Sequence, residues 1–240
     1  MVRPTPVRPL TFTRTEFLDE RWDYKPGEHV SLLGPTGCGK TTLTYQLLEK
    51  TATPELPALV MIMKPRDKVA LEWNKKLKYR KTESWPAPWN PMNAKPPGYT
   101  VWPKHTFDPD KDNEHMHTVF RRAILDSYRR GDRILVADEA FGLSKELKLE
   151  KELITVWSRG RAMGCGLWAG TQKPSHVPLW MYSQAEHLFL YNDPDKRSQD
   201  RFAEIGGVDP NLVIDVVSSL EKHQCLYIRR DGPVMCIVDK

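Results

Sequence analysis

The sequence GPTGCGKT, residues 34–41, decides how this chain folds, because it joins a strand pattern to a helix pattern. The apolar run before it, Val30–Leu33, is followed by a glycine, as is typical of a buried strand that ends in a turn. Behind it, Leu43, Leu47 and Leu48 recur at helical spacing. The eight residues match GxxxxGK[ST] without deviation, and that pattern between a strand and a helix predicts a loop that binds phosphate groups.

Each part of this Walker A pattern has a chemical task. The three glycines let the backbone turn its N–H groups toward phosphate oxygens, and the following helix presents the positive end of its dipole. Lys40 supplies a positive charge to the β- and γ-phosphates, and the hydroxyl of Thr41 is placed to bind Mg²⁺. A chance match in a glycine-rich turn is the alternative, and the flanking strand and helix argue against it. The residues predicted to bind the nucleotide are Gly34, Pro35, Thr36, Gly37, Cys38, Gly39, Lys40, Thr41 and Thr42.

An acidic pair follows a second apolar run. Ile134–Ala137 leads directly into Asp138 and Glu139. Asp138 is predicted to bind Mg²⁺ together with Thr41, which is the role of a Walker B acid, and Glu139 is placed to polarise a water molecule against the γ-phosphate. The alternative is that the two acids cap a loop. A nucleotide loop needs a Mg²⁺-binding acid, and no other apolar run here ends in two acids, which favours the metal site. The adjacent glutamate indicates hydrolysis rather than phosphate transfer to a small molecule.

A third candidate lies in GLWAGTQKPS, residues 166–175. A strand ending at Thr171 would place the amide of Gln172 where it contacts both the γ-phosphate and the attacking water. A polar turn residue before a proline is the alternative, and these residues alone favour it. Upstream, Arg159 and Arg161 near a helix end either interact with the helix dipole or reach the nucleotide of a neighbouring subunit as an arginine finger.

Strand and helix patterns alternate along the chain. Apolar runs predict strands at Ala58–Met63, Tyr99–Trp102 and His187–Tyr191, and amphipathic spacing predicts helices over residues 68–81 and 117–130. This alternation predicts an α/β fold with a mostly parallel central sheet flanked by helices.

The domain organisation follows from composition shifts. Residues 1–27 carry prolines and arginines and are predicted to form an N-terminal arm, and residues 28–240 a single domain. A Pro- and Trp-rich segment near 84–104 is predicted to be an insertion. Two β-prone runs around Asp231–Gly232 predict a C-terminal β-hairpin.

Composition excludes several classes of protein. The chain has 240 residues, and 36 Lys+Arg against 31 Asp+Glu give a formal net charge of +5. No apolar run approaches the roughly 20 residues that a membrane-spanning helix needs, and no long apolar stretch follows the first arginines, so neither a membrane partner nor a secretory signal is expected. The four cysteines form no closely spaced pair, which excludes a disulfide framework and suits a reducing, cytoplasmic compartment.

The order of these motifs resembles that of the HerA/FtsK superfamily of P-loop ATPases. The resemblance rests on the phosphate loop, the strand with its Asp-Glu pair, the helix with arginines, and TQKPS, and it runs from about residue 29 to residue 193. It implies a RecA-like core in which the glutamine strand lies between the phosphate-loop strand and the acidic strand. It also implies a homo-oligomeric ring, hexameric or pentameric, that hydrolyses ATP with Mg²⁺ at subunit interfaces and translocates double-stranded DNA.

The same resemblance implies specific roles. Lys40 binds phosphate, Glu139 activates water, Gln172 senses the γ-phosphate, and Arg161, with Arg159 second, acts in trans. The chain shows neither a winged-helix extension nor room for an N-terminal barrel, so it is most similar to compact viral or phage genome-packaging ATPases. This implies capsid, portal or other virion proteins as partners, in the host cytoplasm or the virion. The alternatives are an ATPase of the same superfamily that drives phage assembly or secretion, and a P-loop phosphotransferase.

The basic and tryptophan clusters stay open to two interpretations. Residues 75–81 and the turn at Arg129–Arg130 would contact DNA phosphates or form solvated helix faces. Trp85, Trp89 and Trp102 would stack on bases or pack a loop onto the core.

Two further segments have competing interpretations. Trp22 or Tyr24 would stack on adenine or belong to the core. The histidines and acids between His105 and His117 do not match a calcium loop, and a loop that leads into a capped helix explains them better than a metal site.

Overall fold

The structure is a computed structural model, and it describes residues 9–88, 94–172, 174–205, 207–231 and 234–239. The chain has an α/β fold built on a ten-stranded, mostly parallel sheet flanked by helices, as the sequence predicts. The chain divides into two compact units. Within the described residues, the first unit comprises 9–22, 30–40 and 171–239, and the second comprises 23–29 and 41–170.

The sheet contains ten strands among the described residues. They are β1 (Leu10–Phe12), β2 (Val30–Leu33), β3 (Ala58–Met61), β4 (Arg80–Thr82), β5 (Gly98–Val101), β6 (Arg133–Ala137), β7 (Cys165–Thr171), β8 (His187–Tyr191), β9 (Cys225–Arg229) and β10 (Val234–Val238).

The helices include several short ones. They are α1 (Arg14–Glu16), α2 (Lys40–Thr51), α3 (Lys68–Lys76), α4 (Pro109–Arg130), α5 (Glu150–Arg159), α6 (Trp180–Ser183), α7 (Lys196–Asp200) and α8 (Pro210–Ser218). Two π-helical segments, Phe17–Arg21 and Gly142–Glu146, and three 3₁₀ turns, Arg161–Met163, Pro174–His176 and Arg201–Glu204, complete the set. None of the helices in the described part of the chain has both the length and the apolar character needed to cross a membrane.

The first unit carries strands in the order β1-β10-β9-β8-β2. β9 is antiparallel to both of its neighbours, and β2 runs parallel to β8 with Val30 opposite His187. The antiparallel β9–β10 pair confirms the C-terminal hairpin, although Gly232 of its predicted turn lies outside the described residues. The predicted arm contributes an edge strand, because β1 pairs in parallel with β10.

The second unit carries strands in the order β7-β6-β3-β5-β4, and each pairs in parallel with the next. Every residue of β3 and of β7 is buried. Parallel strands covered on both faces read as continuous apolar runs, which explains why ALVM at β3 is a run rather than an alternating pattern.

Aromatic side chains fill the core of each unit. In the first unit, Phe17 makes edge-to-face contacts with Phe189 and Tyr227, at centroid distances of 5.8 and 4.8 Å. In the second unit, Tyr24 packs edge-on against Trp168 at 5.1 Å. Such pairs add about 0.5–1.5 kcal/mol beyond the burial of their area.

The predicted helix over residues 68–81 is wrong at its C-terminal end. α3 stops at Lys76, Lys78 adopts a left-handed backbone with φ 55°, and residues 80–82 form β4, which pairs with β5. The amphipathic spacing continues past Lys76, but the backbone hydrogen bonds of residues 80–82 are made in the sheet.

The helix predicted over residues 117–130 begins earlier, at Pro109. The side chain of Asp108 caps it by accepting from the N–H groups of Asp110 and Lys111, and the proline occupies the first helical turn, where no N–H is needed. The capped-helix interpretation of this segment is therefore confirmed.

Candidate active site

The phosphate loop follows β2 in the first unit and leads into α2. The ammonium of Lys40 lies inside the loop, where it donates to the backbone oxygens of Gly34 and Pro35 at 2.7 and 2.8 Å. Only 7% of the residue is exposed. The side chain of Lys40 is therefore ordered by the loop, and its positive charge lies among the backbone groups of the loop.

Two glycines give the loop its shape. Gly37 and Gly39 have φ values of 78° and 106°, in the region that side chains rarely adopt. Successive N–H groups in such a turn form a concave nest for an anion. A Cβ built on Gly37 would meet nothing within 4 Å, so this glycine is required for its backbone angle rather than for space.

Gly34 is required for a different reason. A Cβ at this position would lie 2.5 Å from the Cβ of Tyr191, a side chain that is 1% exposed at the end of β8. The backbone of the loop thus passes directly over the strand end. The N–H of Gly34 donates to the backbone oxygen of Thr171 at 3.4 Å, which fixes the start of the loop against the last residue of β7.

Cys38 fills space within the loop. It is buried, and burial raises the pKa of its thiol above the usual range while the nearby Lys40 lowers it. The thiol therefore stays protonated near neutral pH, which does not suit a nucleophile.

Within the first unit, Gln172 contacts the phosphate loop. The hydroxyl of Thr36 donates to Oε1 of Gln172 at 2.6 Å. The structure thus places Gln172 at the phosphate loop, and its role as a γ-phosphate sensor stays a prediction.

The second unit contains the two residues that the sequence predicts to bind Mg²⁺. The hydroxyl of Thr41, in the first turn of α2, donates to Oδ1 of Asp138 at 2.9 Å. Asp138 directly follows β6, and a Cβ on Gly170 of β7 would lie 2.8 Å from its backbone oxygen. Thr42 is exposed in the same turn of α2. The strand end and the helix start thus bring a hydroxyl and a carboxylate together, as the sequence predicts.

Lys64 lies close to Asp138, a contact that the sequence analysis does not predict. Its ammonium lies 3.7 Å from Oδ2 of Asp138 and 3.3 Å from Oδ2 of Asp67, and its backbone oxygen accepts from the indole of Trp102 at 2.8 Å. Partial burial lowers the pKa of Lys64, but the carboxylates of Asp138 and Asp67 outweigh this and raise it. The available signal was position, since Lys64 and Asp67 follow β3 just as Asp138 follows β6.

Glu139, the predicted base, directly follows Asp138. Its Oε1 accepts from the N–H of Phe141 at 3.3 Å, which holds the carboxylate against the turn that follows β6. A Cβ on Gly142 would come 2.9 Å from Met63 and 3.6 Å from the Cγ of Glu139. A side chain at position 142 would therefore contact Met63 and Glu139.

Arg159 and Arg161 are both exposed, at the end of α5 and the start of the next 3₁₀ turn. The backbone around Arg161 is packed tightly, because a Cβ on Gly27 would lie 2.6 Å from its carbonyl oxygen. Both side chains are thus on the surface of this chain. The roles in trans stay predictions.

The residues present suit a nucleotide and a divalent cation. A hydroxyl and a carboxylate oxygen are the ligands that Mg²⁺ prefers, and Thr41 and Asp138 provide them. The two positive-φ glycines and the enclosed Lys40 provide the donors for phosphate. No group of three or more His, Cys, Asp or Glu side chains that could hold a metal ion occurs in the described residues.

Of the aromatic candidates, Trp85 and Trp102 are buried in the core, whereas Trp22 and Tyr24 are half-buried. Trp22 lies 4.8 Å from the ring of His187, and the hydroxyl of Tyr24 donates to the backbone oxygen of Glu28. Trp85 and Trp102 are each 5% exposed, which leaves little ring surface for stacking on bases. Trp89 lies outside the described residues.

Comparisons with known proteins place this geometry in a known fold. The genome packaging NTPase B204 from Sulfolobus turreted icosahedral virus 2, in complex with sulfate, superposes with a TM-score of 0.63 over 90% of this chain and 98% of that chain, at 16% identity. The chain has the fold of this NTPase. The same protein in complex with AMPPCP gives a TM-score of 0.61 at 16% identity over 88% and 97% of the two chains.

A bacterial protein shares the fold to a similar degree. VirB4 of Thermoanaerobacter pseudethanolicus has a TM-score of 0.64 over 87% of this chain and 88% of that chain, at 12% identity. No protein-family model matches the sequence. No curated protein matches it either. The RecA-like core that the motif order implies is therefore confirmed by shape, while the activity has to be argued from the residues of the site.

Proposed function

We propose that this chain is a Mg²⁺-dependent ATPase whose copies assemble into a ring of six or five subunits and move double-stranded DNA during genome packaging. One observation carries the hydrolytic part. The Thr41 hydroxyl donates a hydrogen bond to the Asp138 carboxylate. Thr41 directly follows Lys40, whose ammonium is held within the phosphate loop. Phosphate and metal ligands are thus successive residues, which is how the two parts of a Mg²⁺-nucleotide are bound together.

Each residue of the proposed site has its own role in ATP hydrolysis. The N–H groups of the loop and Lys40 hold the phosphates in place, and Gln172 with Thr36 lies at the same loop. Thr41 and Asp138 would hold Mg²⁺, which when bound neutralises charge on the phosphate oxygens. Catalysis of this kind is mostly positioning and charge stabilisation, for which a buried, preorganised lysine is well suited.

Glu139 is the proposed base. It orients a water molecule and takes its proton as the water oxygen bonds to the γ-phosphorus, while the bond to the β-γ bridging oxygen breaks and ADP leaves. An arginine from a neighbouring subunit, Arg161 or Arg159, would stabilise the charge on the transferred group. This makes turnover depend on assembly. We further propose one ATPase domain over residues 28–240 preceded by an arm.

The DNA part of the proposal rests on likeness and on charge. A chain of this size shares its fold with a protein described as a genome packaging NTPase over nearly the whole of both chains. The net charge of +5 repeated around a ring would attract a polyanion. Capsid or portal proteins would then supply docking, in the host cytoplasm or the virion.

The test is the rate of phosphate release with and without double-stranded DNA, at low and at high salt. We expect Mg²⁺-dependent hydrolysis that DNA stimulates at low salt and less at high salt, because phosphate contacts weaken as salt rises. The control is Lys40→Ala, which should be inactive under all conditions. Hydrolysis without any stimulation at low salt would reject DNA as the driven polymer and favour an assembly or secretion ATPase. Transfer of phosphate to an added acceptor instead of water would favour a phosphotransferase.

A further inference from the structure

The ends of three neighbouring strands bring Lys64 to the predicted metal site in the second unit. β3 lies between β5 and β6, and Met61 at its end is opposite both Val101 and Ala137. The residues that follow these parallel strands therefore emerge at one edge of the sheet. Lys64 lies three residues after β3, and Asp138 directly follows β6.

Two carboxylates share the ammonium of Lys64. It lies 3.7 Å from Oδ2 of Asp138 and 3.3 Å from Oδ2 of Asp67, and the shorter contact is a hydrogen bond. The Lys64 side chain is 51% exposed, whereas those of Asp138 and Asp67 are 19% and 9% exposed. The ammonium thus has two partners within reach and an open side on which it can shift between them.

Other contacts hold the groups around this ammonium. The buried indole of Trp102 donates to the backbone oxygen of Lys64 at 2.8 Å. Oδ1 of Asp67 accepts from a backbone N–H of α3 at 2.9 Å and caps that helix. Oδ1 of Asp138 accepts from the hydroxyl of Thr41 at 2.9 Å. The part that is free to move is therefore the end of the lysine side chain.

A second cation at Asp138 would change the balance between the two acids. Like charges on one carboxylate repel each other, and Mg²⁺ carries twice the charge of an ammonium. Lys64 loses part of its attraction to Asp138 in that case and keeps the whole of its attraction to Asp67, which already accepts its hydrogen bond.

We propose that Lys64 is an internal counter-ion of the metal site, which neutralises Asp138 in the absence of Mg²⁺ and withdraws to Asp67 when Mg²⁺ binds. The inference rests on the proposed function and deepens it, because it adds a residue that sets the Mg²⁺ concentration at which the site fills. Lys64 is a positioning residue, since it acts through Asp138.

The experiment measures by calorimetry how free Mg²⁺ raises the affinity for AMPPCP, an analogue of ATP. The readout is the Mg²⁺ concentration that gives half of the maximal gain. Lys64→Met removes the charge and keeps the aliphatic stem, and Lys64→Gln is a second neutral variant. Asp67→Asn removes the charge of the acid and still caps α3, because asparagine caps helices as well as aspartate does.

We expect both neutral variants of Lys64 to lower this Mg²⁺ concentration about two- to fivefold, because the ion pair with Asp138 no longer has to be broken. Fivefold corresponds to about 1 kcal/mol, the upper value for an exposed ion pair. Asp67→Asn should raise the concentration by a similar factor, since the ammonium then pairs with Asp138 alone. The double variant Lys64→Met/Asp67→Asn should match Lys64→Met, because Asp67 acts through the lysine.

Lys111→Met is the matched control. Lys111 pairs at 3.1 Å with Asp108, the residue that caps α4, so this variant removes the same charge from the same kind of ion pair. It should leave the Mg²⁺ concentration unchanged. Binding of AMPPCP in EDTA reports that each variant is folded with its phosphate loop intact.

An unchanged or higher Mg²⁺ concentration for the neutral variants of Lys64 would reject the inference while the ATPase proposal stands. An unchanged value for Asp67→Asn, or a double variant that differs from Lys64→Met, would also reject it, because Asp67 would then not act through the lysine. If the wild type does not bind AMPPCP, or binds it without any effect of Mg²⁺, the ATPase proposal itself is rejected, and the inference with it.

Discussion

Acidification should destabilise this protein through one buried histidine, His29, which directly precedes β2. The residue is 2% exposed, its Nδ1 accepts from the N–H of Leu167 at 3.0 Å, and its ring stacks on Trp157 at a centroid distance of 5.3 Å. Burial is the largest cause that lowers the pKa of His29, a hydrogen bond to the backbone of Trp157 raises it, and the charge of Arg161 lowers it; together they bring it to about 4. The folded chain therefore keeps this imidazole neutral at pH values where an exposed histidine is charged.

The direction and size of the effect follow from linkage. The pKa of a histidine in the unfolded chain is about 6.5, above the folded value, so the unfolded state takes up the proton first as the pH falls. The stability from a neutral His29 is fully present above about pH 6.5 and is lost as the pH falls toward about 4. A difference of about 2.5 pH units corresponds to about 3 kcal/mol in all, of which about 2 kcal/mol is lost between pH 7 and pH 5.

The assay is urea unfolding at pH 7 and pH 5 of the wild type and of His29→Asn, in which the amide oxygen can accept from Leu167 but does not titrate. The wild type should lose about 2 kcal/mol more free energy of unfolding than the variant over this interval. A control, His176→Asn, changes an exposed histidine and should keep the wild-type pH dependence. Parallel losses in the wild type and His29→Asn would refute the reasoning, because the pH dependence would then belong to other groups.

The remaining predictions concern the candidate active site. Glu139→Gln should bind ATP yet release almost no phosphate, because the amide cannot take the proton, and near-normal turnover would remove Glu139 as the base. Thr41→Val should raise the Mg²⁺ concentration needed for half-maximal hydrolysis, since it removes the hydroxyl bonded to Asp138, whereas Thr41→Ser should restore it; an equal response of the two variants to Mg²⁺ titration would contradict the metal role. Arg161→Ala should lower turnover by about 10³-fold or more, and mixing it with Lys40→Ala protein should restore part of the activity. Absence of rescue at every mixing ratio would count against a site shared between subunits.

Much of the site could be predicted because it lies where strands end. β2, β6 and β7 are apolar runs that stop at a glycine, an acid and a Thr-Gln pair. In parallel sheets of this class, ligands bind at the carboxyl ends of strands, so polar residues just after apolar runs carry information about the site. The same rule points to Lys64, which lies in the segment after β3.

The parts that could not be predicted depend on long-range pairing or on unmarked backbone angles. β1 is a three-residue strand whose partner, β10, lies more than 200 residues away, and nothing in its own sequence indicates that pairing. Lys78 and His223 adopt left-handed backbone angles without being glycine or asparagine. The first lies just after the end of α3, and the second lies in the turn that precedes β9. Neither residue type marks a left-handed turn in the sequence, so neither turn could be predicted.

The two basic clusters differ in how much charge they present. At the end of α4, Arg129 and Arg130 both bond the carboxylate of Asp126, at 3.1 and 2.9 Å. Two positive charges share one negative charge there, and the carboxylate also accepts from the indole of Trp85. This cluster is partly neutralised by its own fold.

The segment of residues 75–81 keeps more of its charge. Lys76 pairs with Glu49 at 2.8 Å, while Lys75 and Lys78 have no carboxylate within ion-pair distance among the described residues. Lys81 lies over the ring of Trp102 at 4.5 Å, which fixes its position without cancelling its charge. An exposed ion pair is worth only about 0–1 kcal/mol, so Lys76 can exchange its partner for a phosphate at little cost. If the ring moves DNA, the backbone phosphates should therefore contact residues 75–81 rather than the end of α4, because contact strength follows the unneutralised charge that a surface presents.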